Sequence, residues 1–247
     1  MRQGHLDLAL RPGQTLPHLG RRLGQFLFLI AIVLGAGVDP EGHPSFNIGP
    51  TQRIDGVAHH DGARVLERYR WGLLPGWAKD ASFASKTFNA RAETVATKPS
   101  FRSAYKRRRL LVPVDGFYEW DRRAPGKPQP HYFTRTDGDP LVFAGLHESW
   151  RDPAGGDDAP VIQSATVITT SAGPDMDEIH DRMPVILEQT TFDLWLSDDE
   201  EELDAVGALL QAAPAGTISH VPVDRAVGNV RNDGPSLIEP VTPDTLF

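Results

Sequence analysis

The chain has 247 residues, a formal charge of −8 and no cysteine. That length fits one large domain or two small ones with an ample core, while disulfides, thiolate nucleophiles and cysteine-held metals are excluded for the sequence as it stands. An acidic balance does not favour nucleic acid by itself, but distribution outweighs the sum. Acid gathers at Asp198–Asp204, which reads as a solvated helix face, and base at Lys98–Arg109, where six Lys or Arg residues stand without an acid.

Residues 1–38 differ from the rest of the chain. They hold one acid, Asp7, and end in the uncharged run Phe26–Val38. That run is shorter than the roughly 18–20 residues a bilayer-spanning helix needs. Arg21-Arg22 before it imitates a secretory signal, and a buried helix or strand is the plainer reading. From Asp39 to the end, residues 39–247 read as one α+β domain. Asp39–Gly42 is a turn, Arg64–Trp71 a strand, Leu73–Asp80 a Pro-Gly loop carrying Trp77, and Ala92–Arg109 a helix that Pro99 ends or breaks. Strand-like runs come next at Leu110–Val114, His131–Thr134, Leu141–Leu146 and Ala165–Thr170, with Gly/Pro/Asp turns between them. This spacing predicts a curled, barrel-like, largely antiparallel sheet with flanking helices. Ser171–His180 reads as a turn entering a short helix, Thr190–Leu196 and Glu201–Gln211 as further helices, and Val221–Val241 as extended.

Two side chains suit proton transfer. Glu119 stands between Tyr118 and Trp120, where desolvation raises a carboxyl toward neutrality; an edge-strand glutamate is the bland alternative. His180 lies beside Asp181 and Arg182 in the manner of a proton shuttle, although a lone histidine is more often structural. Asp175, Asp177, His180 and Asp181 also resemble a metal cluster, which a capped helix start explains more simply. His59-His60-Asp61 reads as a solvated turn. Phe101 and Tyr105 interleave with the basic segment, a mixture suited to single-stranded nucleic acid.

Six stretches, FNIGPTQ, RWGLLPGW, FNARAET, VDGFYEW, ITTSAGPDMDEIHDRMPVIL and VDRAVGNVRND, together resemble the SOS response-associated peptidase (SRAP) family of abasic-site processing proteins, over Pro44 to Val241. The resemblance implies a single-domain barrel-like α+β fold and a cleft for single-stranded DNA at an abasic site. It also implies self-processing hydrolase and lyase-type chemistry in the DNA damage (SOS) response. In the family an N-terminal cysteine, exposed when the initiator methionine is removed, traps the abasic aldehyde as a thiazolidine. Carried over by motif, Asn89 orients the reacting terminus, Glu119 is the catalytic carboxylate and His180 moves protons during sugar opening. Arg91 and Arg182 hold DNA phosphate, Trp77 stacks at the lesion and Thr169 lines the pocket. Lys98 and Arg102 of the basic segment complete the expected DNA surface. No cofactor, metal or membrane is expected, and a monomer working in the cytoplasm with the nucleoid is.

The family begins Met-Cys-Gly-Arg, whereas this chain begins Met1-Arg2-Gln3-Gly4. A misassigned start, or a shifted frame upstream of about Gly37, would account for the foreign content of residues 1–38. As written, the chain is expected to be crosslink-deficient, which leaves its standing as an enzyme open. The alternative is a non-covalent module for single-stranded or abasic DNA.

Overall fold

The computed structural model describes residues 45–60, 62–123, 126–156 and 158–242; the run Phe26–Val38 and the turn Asp39–Gly42 lie outside them. In chain order the strands are β1 (Arg53–His60), β2 (Ala63–Trp71), β3 (Asn89–Arg91), β4 (Arg109–Val114), β5 (Phe117–Asp121), β6 (Gln129–Arg135), β7 (Leu141–Arg151), β8 (Val161–Ser171), β9 (Arg182–Pro184) and β10 (Ile218–Pro222). The α-helices are α1 (Arg102–Arg107), α2 (Phe192–Leu196) and α3 (Leu203–Ala208). Neighbours β2-β1-β4-β7-β8 close into a barrel because β2 returns to pair β8 in parallel, and its other contacts are antiparallel. Strands β10-β6-β5 form a second, antiparallel sheet. The curled, largely antiparallel α+β architecture read from the spacing is the one observed.

Period-two alternation explains the wall. Leu110 and Val112 of β4 point inward with Ile54, Ala58, Tyr69, Ala165 and Val167. Leu111 between them points outward onto Tyr105, Phe192, Trp195 and Val206 of the three helices. The β1–β2 hairpin turns through Gly62, whose φ of +81° lies in the left-handed region that favours glycine. One mouth of the barrel is closed by the second sheet. Phe117 stacks on Phe133 at 5.0 Å and meets Phe143 of β7 edge-on at 5.6 Å.

Three expectations need correction. Residues 92–100 form a chain of turns, and the helix is confined to Arg102–Arg107. Pro99 has no N–H to donate and disfavours helical backbone at Lys98. Ser171–His180 likewise stays a run of turns, starting at Gly173-Pro174 and held by bonds such as Met176 N to Gly173 O (3.0 Å) and His180 N to Met176 O (3.0 Å). Beyond β10 the tail is not extended but coils into 3-10 turns at Arg225–Gly228 and Pro235–Ile238.

Those tail turns are latched to the FNIGPTQ stretch. Buried Asn47 donates its side-chain amide to the carbonyls of Val227 (3.0 Å), Asn229 (3.1 Å) and Asn232 (3.1 Å), and Phe46 N donates to Asp233 Oδ1 (2.7 Å). Truncating Asn47 leaves buried carbonyls without a donor, which costs about 1–3 kcal/mol. Asn47→Ala is therefore expected to lower stability by that amount in urea unfolding, with loss of protection of the 225–233 amides in hydrogen exchange.

The far end of the barrel carries a second buried polar group. His147 is buried against the ring of Tyr69 (5.5 Å) and meets the ring of His60 (5.6 Å), which ends β1 and is itself solvent-exposed. Burial, reinforced by His60 and Arg108, pushes the His147 imidazole down to about 4 from 6.5. The folded state thus prefers the neutral ring. Stability is intact above the unfolded value and falls as pH drops from about 6.5 towards 4. Between pH 7 and 4.5 this one group should remove roughly 2 kcal/mol. The His147→Gln chain, compared by urea unfolding at both pH values, is expected to lose that much less.

No helix among the described residues is long and apolar enough to cross a membrane.

Candidate active site and nucleic-acid interface

The upper end of β8 gathers most of the candidate residues. Its pairing runs Asn89↔Val167, Ala90↔Ile168 and Arg91↔Thr169 on one edge, and Thr169↔Pro184, Thr170↔Met183 and Ser171↔Arg182 on the other. Ala90 is buried, so Asn89 and Arg91, two apart, are presented together on the exposed face. The Asn89 side chain makes no hydrogen bond among the described residues. Arg182 grips Glu93 with two bonds, Nη1 to Oε1 at 2.5 Å and Nη2 to Oε2 at 3.1 Å, and also donates to Thr169 O at 2.6 Å. The Arg182 hydrogen bond holds the Glu93 carboxyl below its ordinary value, and the nearby Arg91 charge acts in the same direction. Thr169 therefore contributes mainly its carbonyl; its hydroxyl reaches Ala90 O only at 3.5 Å.

Glu119 arrives from the other sheet. On β5 it shares a face with Phe117, whose ring packs on the barrel mouth, and it stands opposite His131 of β6. Tyr118 and Trp120 point to the opposite face, into the cluster of Val223, Val227 and Leu237. Burial raises the Glu119 carboxyl above its ordinary value, as the sequence suggests, although the flanking rings lie on the other face of the strand. His180 is the first charge to oppose that rise, so the two side chains face one another electrostatically. His180 is delivered by the turn whose Met176 and Ile179 are buried anchors. Its Nδ1 lies within hydrogen-bond reach of both the backbone N–H (3.0 Å) and the carbonyl O (3.1 Å) of Arg182, which fixes the ring's orientation. Asp175 is consumed structurally, accepting from Gly216 N (2.9 Å) and Ile218 N (3.1 Å) of the β10 strand and the turn before it.

A second group lies along the turns that leave β3. Trp77 is 55% exposed, packs edge-on against Phe83 at 4.9 Å and sets its indole N–H 3.4 Å from Pro99 O. Lys98 is exposed, with its ammonium 5.4 Å from the Phe101 ring centre, and Arg102 is exposed at the start of α1. The rest of the basic segment is not a free surface. Arg107 and Lys106 pair with Glu200, Arg108 with Glu148, and buried Arg109 donates to Trp195 O at 2.6 Å. Phe101 and Tyr105 are buried in the core and offer no ring to a base. Alternation of aromatic and basic residues in sequence marks here an amphipathic helix, not a stacking platform.

Sequence reasoning did not single out Glu93, although it lies within FNARAET, or the pair His131 and His220, whose Nδ1 atoms stand 3.0 Å apart beside Glu119's strand. The period-two step from Phe133 to His131 is the signal that places that histidine on Glu119's face.

The barrel-like α+β fold is one that solved structures share. Residues 25–230 match the family described as SOS response associated peptidase (SRAP), and the chain belongs to that family. Abasic site processing protein YoqW of Bacillus subtilis (strain 168) is 39% identical over 202 residues, 81% of this chain and 88% of that one. Abasic site processing protein YedK of Escherichia coli (strain K12) is 31% identical over 208 residues, covering 82% and 87%. A crystal structure of a protein from Bacteroides thetaiotaomicron superposes with a TM-score of 0.66 at 25% identity, covering 78% of this chain and 82% of that one.

The Glu119–His180 coupling is testable directly. The Glu119 side-chain carboxyl resonance is expected to titrate above 4.5, and His180→Ala should move its midpoint further up, because the opposing positive charge is gone. A midpoint that falls or stays fixed in His180→Ala would show that the two groups do not face each other.

Proposed function

We propose that this protein recognises abasic sites in single-stranded DNA and that its described residues serve the binding and sugar-opening steps of that reaction. The observation that carries the reading is the electrostatic facing of Glu119, from the second sheet, and His180, from the turn between β8 and β9; the same end of β8 pairs with the strands that carry Asn89, Arg91 and Arg182. The names of the relatives, abasic site processing proteins, support it.

An abasic sugar rests as a closed hemiacetal. Opening it requires a proton to leave the anomeric hydroxyl while another reaches the ring oxygen. A carboxyl raised towards neutrality and an imidazole facing it are suited to that exchange. Arg91 and Arg182 would sit on flanking phosphates, with Trp77 stacked on an adjacent base. Asn89, whose amide has no bond to the protein among the described residues, would orient the amine that attacks the released aldehyde. With an amine alone the product is an imine, formed with loss of water and reversed by water. Closing a thiazolidine needs a thiol beside that amine, and this chain has none. The chain as given is therefore a crosslink-deficient abasic-site binder, working as a monomer alongside the chromosome.

Fluorescence anisotropy with an abasic strand and its intact counterpart tests this. Preference for the abasic strand is expected, affinity should fall as salt rises, and Arg91→Ala should weaken binding about tenfold, as loss of one charge-assisted phosphate contact does. No heat-resistant adduct should form without a reductant. Equal affinity for the intact strand would overturn the lesion reading, and a heat-resistant adduct would overturn the crosslink deficiency.

A further inference from the structure

Arg182 already holds an anion. Glu93 meets its guanidinium through both carboxylate oxygens, at 2.5 and 3.1 Å, the fork geometry with which arginine also takes phosphate. Arg91, the other arginine at this strand end, adds its field to the same carboxylate. The pair is not a buried structural bridge, since the Glu93 side chain is half exposed. Nor does Arg182 depend on Glu93 for its place. Its Nη2 is tied to Thr169 O at 2.6 Å, so the guanidinium stays at the β8 end if the carboxylate swings into solvent.

We propose that Glu93 is an affinity-setting residue that stands in for a DNA phosphate on Arg182, and that strand binding exchanges carboxylate for phosphate. The proposal rests on the DNA reading above and adds a cost to it. Each strand that engages Arg182 displaces Glu93, and the released carboxylate then lies among phosphates. Glu93 thereby holds down non-productive retention of single strands, while the protein keeps a preformed, oriented arginine.

Glu93→Gln keeps the shape and removes the charge. It is expected to bind an abasic single strand about fivefold tighter, the scale of an exposed ion pair, and to steepen the slope of log affinity against log salt by about 0.7, as one further neutralised phosphate does. Arg182→Gln should weaken binding and flatten the slope, and adding Glu93→Gln to it should give no gain, because Glu93 acts only through Arg182. Thermal unfolding checks that each variant is folded, and Glu93→Ala repeats the test without an amide that can still bond Arg182. If both Glu93 variants bind no tighter, or weaken binding as Arg182→Gln does, Glu93 is a brace and the proposal fails. If the unaltered chain itself shows no salt-dependent affinity for the abasic strand, the DNA reading fails, and this proposal with it.

Discussion

Both lone pairs of one carbonyl oxygen hold the site together. Thr169 O, at the upper end of β8, accepts from Ala92 N at 2.9 Å and from Arg182 Nη2 at 2.6 Å. The first bond fixes the chain as it leaves β3, just after Asn89 and Arg91 and just before Glu93. The second fixes the guanidinium that Glu93 grips. A carbonyl offers two acceptor sites and no more, so the chain leaving β3 and the Arg182 guanidinium of β9 are held at a single atom, on top of the backbone register each strand takes from β8. That rigidity follows from the strand pairing around β8, whose lower half is occupied by β7 and β2 and whose upper half is left to β3 and β9.

The pair proposed for proton transfer obeys a different constraint. Glu119 and His180 belong to parts of the fold that meet only because the small sheet docks on the barrel mouth. The aromatic contact of Phe117 with Phe133 and Phe143 supplies the apolar part of that docking. Asp175 ties the turn before His180 to the backbone at Gly216 and Ile218, and Arg123 reaches Glu178 of the same turn at 3.4 Å. The same docking that brings the pair together also removes water from Glu119. Proximity and the raised carboxyl therefore have one cause, and loosening the interface would lose both at once.

The strands are legible in the sequence because Leu110–Val114, Leu141–Leu146 and Ala165–Thr170 are short, largely apolar runs set off by Gly/Pro/Asp turns, as strands buried on both faces are. The helices are less so. Phe101, Tyr105 and the intervening charges satisfy a helical pattern, but Pro99 and the turns at 92–100 cut the element to one short segment. Which charges are free is not legible at all, since Arg107 finds Glu200 at a sequence separation of 93. Glu119 shows a subtler limit. Its aromatic neighbours lead one to expect the rise in its carboxyl, yet strand alternation turns those rings to the opposite face, and Glu119 shares its own face with Phe117 and with His131 of the paired strand. Sequence neighbours suggest the right environment for the wrong reason.

With three of the segment's arginines spent on the scaffold, the cationic surface is small. Among the described residues of this region, Arg91, Lys98 and Arg102 remain exposed and form no ion pair, with Trp77 beside them. The chain as a whole carries −8, so on the proposed function a polyanion is repelled by the net charge and meets local attraction along this short strip. Within about 10 Å, the screening distance at ordinary salt, a strand feels the strip rather than the net charge. Contact with few phosphates gives little non-specific affinity, so retention has to come from something an intact strand lacks. On the proposed function, that is the place where Glu119, its carboxyl raised by burial, faces His180, so that the lesion, and not the backbone, would decide how long a strand stays.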